Sequence, residues 1–104
     1  MTSGNEDRIV VKVDADLEDL IPGFLENRRD DIAQIKRLLD EGDYEKIARL
    51  GHSMKGSGGG YGFDEITRIG GMIEQLAMGR DMDGVRRQLE SLSDYLDRVE
   101  VVYG

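Results

Sequence analysis

The chain has 104 residues, 22 acidic against 14 basic side chains and a formal net charge of −8, and it contains no cysteine. Its length fits one domain with a modest core, and the lack of cysteine excludes disulfides, thiolate metal sites and a cysteine nucleophile. The acidic balance argues against nucleic acid and anionic membranes as main partners, because both bind basic protein surfaces.

The N-terminal segment, residues 1–16, is expected to be flexible or extended, and the folded domain is expected over residues 17–104. Residues 1–8 are polar and show no periodicity. Ile9–Val13 is β-branched, and we expect it to lie extended against the domain because no partner strand is evident elsewhere. Without a secretion signal or a run of about 18 apolar residues, the sequence predicts a cytoplasmic protein that spans no membrane.

A helical pattern begins at Asp16. Apolar residues then recur at three- and four-residue steps, which is the spacing of one face of an α-helix. Pro22 interrupts this pattern, and proline suits the first turn of a helix but not its interior. We therefore predict a short helix over residues 16–21 and a longer helix from Pro22 to Glu41, ended by Gly42.

Three more amphipathic helices follow along the chain. Asp43 is placed to cap the second helix, which carries its apolar stripe into a glycine-rich stretch. The third is predicted from Asp64, as its N-cap, to Met78. The fourth is predicted from about Met82 to Tyr103. Four helices, each with its apolar residues on one face, and short connections between them predict an all-α fold. We expect an antiparallel up-down-up-down four-helix bundle with a short N-terminal helix and an extended lead-in.

The one histidine of the chain, His52, falls on the second helix, about 150° around the axis from the apolar stripe, and should face solvent. Five of the seven residues from 56 to 62 are glycine, although glycine inside a helix costs about 1 kcal/mol relative to alanine. This stretch indicates that a partner approaches the surface closely. Small residues lie one or two turns from the histidine on its own face, and cations lie three residues before and after it: Ala48, Gly56, Gly59, Arg49 and Lys55.

These residue types suit the acceptance of a phosphoryl group. At pH 7 an ordinary histidine is mostly neutral, with one ring nitrogen free as a nucleophile. The ammonium group of Lys55 could hold an anion bound to that nitrogen. No carboxylate stands at a spacing that would clearly make it a general base, and no metal-binding cluster or nucleotide pocket is evident nearby. We therefore expect no metal site and no autonomous kinase activity.

Four residues, His52, Lys55, Gly56 and Gly62, fit the motif H-x-x-K-G-x-x-x-x-x-G. With this motif the sequence resembles histidine phosphotransfer (HPt) domains, among them those at the start of chemotaxis histidine kinases, over roughly residues 17–103. The resemblance implies that His52 is the phospho-acceptor, that Lys55 stabilises the phosphoryl group and that Gly56 leaves room for a partner. Gly62 would end the second helix or pack it against the third.

The resemblance also implies the partners. The histidine would take a phosphoryl group from an aspartyl phosphate on a response-regulator receiver domain, or from a histidine kinase or hybrid kinase, and pass it to a receiver aspartate. The receiver would supply Mg²⁺, so the chain would need no cofactor of its own. We expect a monomer. The residues expected to dock the partner are Ala48, Arg49, Gly56, Gly59 and Gly62.

Other interpretations differ in how well they fit. A P-loop needs its lysine after the glycines, whereas Lys55 precedes them, and the third glycine of G-x-G-x-x-G would fall on Tyr61 or Phe63. The remaining length holds no ATP-binding domain, so the chain is at most a fragment of a histidine kinase. A helical interaction or dimerisation module stays open, in which the glycines permit close helix packing and His52 is incidental.

Overall fold

The computed structural model describes residues 8–104, which form four helices and two short strands. In chain order the elements are β1 (Ile9–Val13), a 3₁₀ turn (Ala15–Leu17), α1 (Ile21–Glu41), α2 (Tyr44–Tyr61), α3 (Asp64–Met78), α4 (Met82–Arg98) and β2 (Val99–Tyr103). The fold is mostly helical, as predicted, although the strands form a small sheet that an all-α class does not include. The loose tail predicted over residues 1–8 lies, except for Arg8, outside the described residues.

Local chemistry sets several helix ends where the sequence predicts them. The carboxylate of Asp43 accepts a hydrogen bond from the Lys46 N–H, 3.2 Å away, and caps α2. Asp81 caps α4 in the same way, with 2.9 Å to the backbone nitrogen of Gly84. Gly62 ends α2 with a φ of +85°, a conformation that glycine adopts without steric cost.

Three predicted boundaries differ from the structure. In place of a short helix over residues 16–21 there is a single 3₁₀ turn, Ala15–Leu17. The first long helix begins one residue before Pro22, which lies in its first turn. Asp64 is not an N-cap, because Phe63 occupies that position and Asp64 lies in the first turn of α3, where its negative charge favours the helix dipole.

The first and last elements meet in a parallel two-stranded sheet. The register sets Ile9 opposite Val99 and Val13 opposite Tyr103. Two predictions are therefore wrong: β1 has a partner strand, and the fourth helix ends at Arg98 rather than at Tyr103. Val99 and Tyr103 are four residues apart, which also fits a helical stripe. In the structure, however, every second side chain of β2 packs on the core, and this is the period of a strand.

One apolar core joins β1 and all four helices. Its large, fully buried side chains are Ile21, Ile35, Ile47, Met54, Phe63, Ile66, Ile69, Ile73, Val85, Leu89 and Leu92. Around this core α1 and α3 each contact both α2 and α4, which makes a helical bundle. The predicted boundary after residue 16 stays a prediction, although Val13 is buried in the same core. Within residues 8–104 no helix combines the length and the hydropathy needed to cross a bilayer.

Candidate functional site

Glycines bring the backbones of α2 and α3 into contact. A Cβ atom on Gly51 would lie 2.8 Å from the carbonyl oxygen of Gly70, and a Cβ on Gly70 would lie 2.6 Å from the backbone nitrogen of Lys55. A Cβ on Gly58 would lie 2.8 Å from the backbone nitrogen of Thr67. Real Cβ atoms do not approach other atoms this closely, so α2 and α3 can adopt this spacing only with glycine at these positions. The close approach sets side chains at the edge of α3 beside those on the exposed face of α2.

His52 lies on that exposed face and contacts a side chain of α3. The side chain of His52 is 72% exposed, and its Nδ1 atom lies 3.1 Å from Oε2 of Glu74. An ionised carboxylate can only accept a hydrogen bond, so this contact puts a proton on Nδ1. In the neutral ring Nε2 then keeps its lone pair, and an exposed Nε2 is accessible to a partner.

Glu74 is the residue of this site that the sequence prediction misses. The expectation that no carboxylate serves His52 considers spacings along the second helix, whereas Glu74 follows 22 residues later and belongs to α3. A signal for it exists in the sequence, because Gly70 and Glu74 are one turn apart and share a face of the third helix. That signal becomes useful only when the register between the two helices is known.

Lys55 lies one turn after His52, with its aliphatic chain along α3. A Cβ atom on Gly71 would lie 3.5 Å from the Cδ and 4.0 Å from the Cε of Lys55, so the lack of a side chain at Gly71 leaves space for this lysine. Among the described residues no carboxylate lies within ion-pair distance of its ammonium group. The charge therefore remains available for an anion bound near the histidine.

The small residues expected to dock a partner differ in their exposure. A Cβ on Gly56 would meet nothing within 4 Å, and a Cβ on Gly59 would meet only the Thr67 hydroxyl, at 3.7 Å. Gly62 is exposed at the end of α2, with open space around it. Ala48 is half-buried and packs against the core. The open surface next to His52 is thus formed mainly by Gly56 and Gly59.

Arg49 is exposed and forms an ion pair within its own helix. Its Nη2 atom lies 2.9 Å from Oε1 of Glu45, one turn earlier, and both side chains are mostly exposed. An exposed pair of this kind contributes little to stability and can rearrange when a partner binds. Arg49 therefore adds positive charge beside the site without contacting His52.

The arrangement combines an accessible ring nitrogen, a carboxylate behind the ring and an ammonium group beside it. These groups can accept and hold a small anionic group, such as a phosphoryl group, that a second molecule brings. No group of three or more histidine, cysteine or acidic side chains within residues 8–104 is arranged to hold a metal ion. The supply of Mg²⁺ by a partner stays a prediction.

Comparison with known proteins identifies one family. A family model described as the Hpt domain matches residues 19–101, a span that includes all four helices and every residue of the site above. No curated protein and no solved structure gives a significant match.

Proposed function

This chain belongs to the Hpt domain family, whose role is phosphotransfer, and on that premise we propose that His52 is its phospho-acceptor. The phosphoryl group would come from a receiver aspartyl phosphate or from a histidine kinase and would pass to a receiver aspartate. The observation that carries the proposal is the contact of 3.1 Å between His52 Nδ1 and Glu74, which leaves Nε2 of an exposed ring as the nucleophile.

The transfer step needs no proton movement at the attacking nitrogen. The lone pair of Nε2 attacks the phosphorus of the aspartyl phosphate, and the bond from phosphorus to the aspartate oxygen breaks with its electron pair on the leaving carboxylate. The ring keeps its proton on Nδ1 and becomes a cation. In the reverse step a receiver carboxylate attacks phosphorus, and Nε2 leaves as the neutral ring nitrogen.

Glu74 would serve this step in two ways. It holds the ring in the tautomer that presents Nε2, and its negative charge stabilises the positive charge that develops on the ring as the N–P bond forms. Its side chain is only 22% exposed, so water screens this interaction less than it would at a fully exposed pair. Glu74 is a positioning residue, because it acts through the imidazole and does not touch the phosphoryl group.

Lys55 would hold the transferred phosphoryl oxygens, since its ammonium group has no carboxylate partner within residues 8–104. We predict that Lys55→Ala slows transfer to His52, or shortens the lifetime of the phosphohistidine, by about tenfold, the value of one charge-assisted hydrogen bond. Lys46→Ala is the matched control, because Lys46 is an exposed lysine of α2 that pairs with Asp43 instead. Equal rates in the two variants would remove Lys55 from the mechanism.

The open surface at Gly56 and Gly59 would admit the receiver, which would bring the Mg²⁺ that stabilises the transfer. Three further expectations belong to this proposal: an up-down-up-down direction of the four helices, a monomeric state and a cytoplasmic location. Helix connections of two or three residues support the first, because short loops join antiparallel neighbours.

A helical interaction module explains less of the structure. Close packing at Gly51, Gly58 and Gly70 takes place inside the chain, so these glycines call for no second protein. The exposed His52 and its contact with Glu74 would have no purpose in such a module.

The experiment mixes the full chain with a panel of receiver domains phosphorylated on aspartate and looks for an acid-labile phosphoryl group. We expect the wild-type chain to be labelled and His52→Gln to stay unlabelled with unchanged circular dichroism and melting temperature. Ser53→Ala, a change at the adjacent exposed residue, serves as the control and should be labelled normally. The proposal fails if no receiver labels the wild-type chain, or if His52→Gln is labelled equally well.

A further inference from the structure

The turn between α3 and α4 holds an arginine in an unusual backbone conformation. Arg80 has a φ of +56° and is the one residue other than glycine with a positive φ in the part of the chain that the structure describes. Its N–H donates to the Ala77 carbonyl oxygen at 3.0 Å, which fixes the turn. A residue with a Cβ pays about 1 kcal/mol for this conformation, whereas glycine adopts it freely. A residue that is strained in this way often has a functional role, so the side chain calls for an explanation.

The guanidinium group of Arg80 lies over a ring of α2, the helix that carries His52. Its Cζ atom lies 5.9 Å from the centre of the Tyr44 ring, which is within cation–π range. Tyr44 precedes His52 by two helical turns, about 12 Å along α2. Arg80 has no carboxylate within ion-pair distance among residues 8–104, so its charge faces solvent uncompensated.

Met78 extends the same surface with an apolar group. Its side chain is 66% exposed, the largest exposed fraction among the large apolar residues that the structure describes. It follows Glu74 by one turn on the same face of α3, about 6 Å along the helix. Methionine is flexible enough to fit a partner surface, and both methionine and arginine are enriched at the centres of protein interfaces.

The distances decide whether a partner on His52 would reach these residues. A standard protein interface covers about 800 Å² on each partner, which corresponds to a disc of about 16 Å radius. Along the helix axes, Met78 lies about 6 Å from Glu74 and the Tyr44 ring that Arg80 contacts lies about 12 Å from His52, and both rises are shorter than that radius. An interface of this size centred on His52 is therefore wide enough to extend to both residues.

We propose that the turn from Met78 to Arg80 is a second anchor for the phosphoryl-exchanging receiver, in which Arg80 pairs with a carboxylate of that partner and Met78 packs on an apolar patch beside it. The inference rests on the proposed function and goes further, because it specifies which groups the receiver presents away from the reacting atoms: a carboxylate and an apolar patch. Charge complementarity supports an acidic partner surface. The cations Lys46 and Arg49 of α2 are paired with Asp43 and Glu45, whereas Arg80 can pair with a partner carboxylate without first breaking an ion pair.

The test measures single-turnover transfer from a phosphorylated receiver to the full chain as a function of receiver concentration. Arg80→Gly and Met78→Ala should each raise the half-saturating concentration at least fivefold and leave the rate at saturation within twofold. Arg80→Gly removes the side chain but suits the turn, so its melting temperature should equal or exceed that of the wild type. The effect of Arg80→Gly should be smaller in 0.5 M salt, because salt already screens the ion pair between Arg80 and the receiver in the wild type.

Two matched controls complete the design. Met72→Ala removes an exposed methionine of α3 that lies about 200° around the helix from Glu74, and Arg86→Ala removes a cation in the groove between α1 and α4. Both should behave as the wild type. If the test variants match these controls while His52 is labelled, the anchor is refuted and the proposed function stands. If His52 of the wild-type chain is never labelled, the proposed function fails and the anchor fails with it.

Discussion

The two sides of α2 are both rich in glycine, and the glycines serve opposite purposes. On the side that faces α3, Gly51 and Gly58 are buried, and a Cβ on either would lie 2.7 or 2.8 Å from a backbone atom of α3. On the other side Gly56 and Gly60 are exposed, and a Cβ would meet nothing within 4 Å. The packed glycines therefore set the distance between two helices, whereas the open glycines leave a surface clear beside His52.

The largest expected effect is on the packed side. Gly51→Ala would push a methyl group into the backbone of α3, which cannot move aside as a flexible side chain can. We expect the free energy of unfolding to fall by about 3 kcal/mol, as in other overpacked cores. Urea unfolding measures this change. The matched control on the open side, Gly60→Ala, should gain up to about 1 kcal/mol from helix propensity. Equal stability of the two variants would abolish the distinction between the sides.

Glu74 joins the two sides, because it belongs to the packed helix and contacts the exposed histidine. Glu74→Gln should lower the transfer rate at saturating receiver by about tenfold or more, since the developing ring charge loses its counter-charge. Nitrogen NMR of the His52 ring gives a readout that a structural role would not move. The wild type should carry its proton on Nδ1, and Glu74→Ala should shift the neutral ring toward the tautomer protonated on Nε2. An unchanged tautomer and rate would contradict this role.

The core of the bundle has a titration signal of its own, at Tyr95 of α4. Burial raises the pKa of Tyr95 to about 12 from its ordinary value of 10.0, and the nearby carboxylates of Glu65 and Asp64 add to the shift. Below pH 10 the phenol keeps its proton in both the folded and the unfolded chain, so the ionisation of Tyr95 does not yet reduce the free energy of unfolding. Between pH 10 and about 12 only the unfolded chain loses the proton, so stability falls by about 1.4 kcal/mol per pH unit.

Unfolding of Tyr95→Phe across this alkaline range isolates the effect, because the other titrating groups are common to both chains. We expect the variant to lose stability less steeply than the wild type above pH 10 and to match its slope near neutral pH. Parallel curves throughout the alkaline range would show that Tyr95 is not desolvated in the folded protein.

The smallest expected effect is on the open side. Gly56→Leu should raise the half-saturating receiver concentration about fivefold by placing a bulky side chain next to His52, and it should leave stability unchanged or slightly higher. Gly56→Ala is the control for the change in backbone flexibility, because alanine raises the helix propensity at this position but adds only one methyl group. Transfer kinetics measure the half-saturating receiver concentration of each variant, and thermal melting measures its stability. Normal docking of the leucine variant would show that the partner does not cover this glycine.

Local signals explain why much of the bundle can be predicted from the sequence. Asp43 caps α2 through a hydrogen bond to the backbone three residues away, and Gly62 ends it through its own conformation. The exposed position of His52 follows from the helical period alone. Each of these features depends on residues within one or two turns of each other.

The features that escape prediction depend on residues far apart in the chain. β2 becomes a strand because β1, about 90 residues earlier, offers it a partner, whereas its own sequence also fits the helical stripe. Glu74 reaches His52 only because Gly51 and Gly70 let two helices touch in one particular register. The helical projection places Gly51 on the apolar side, but it does not indicate that a helix backbone lies against it.

The most direct measurement is NMR of the phosphorylated, nitrogen-labelled chain, which identifies the atom bonded to phosphorus. We expect a coupling between phosphorus and Nε2 of His52, with the proton retained on Nδ1 beside Glu74. A phosphoryl group on Nδ1, on another residue or on no residue at all would contradict it.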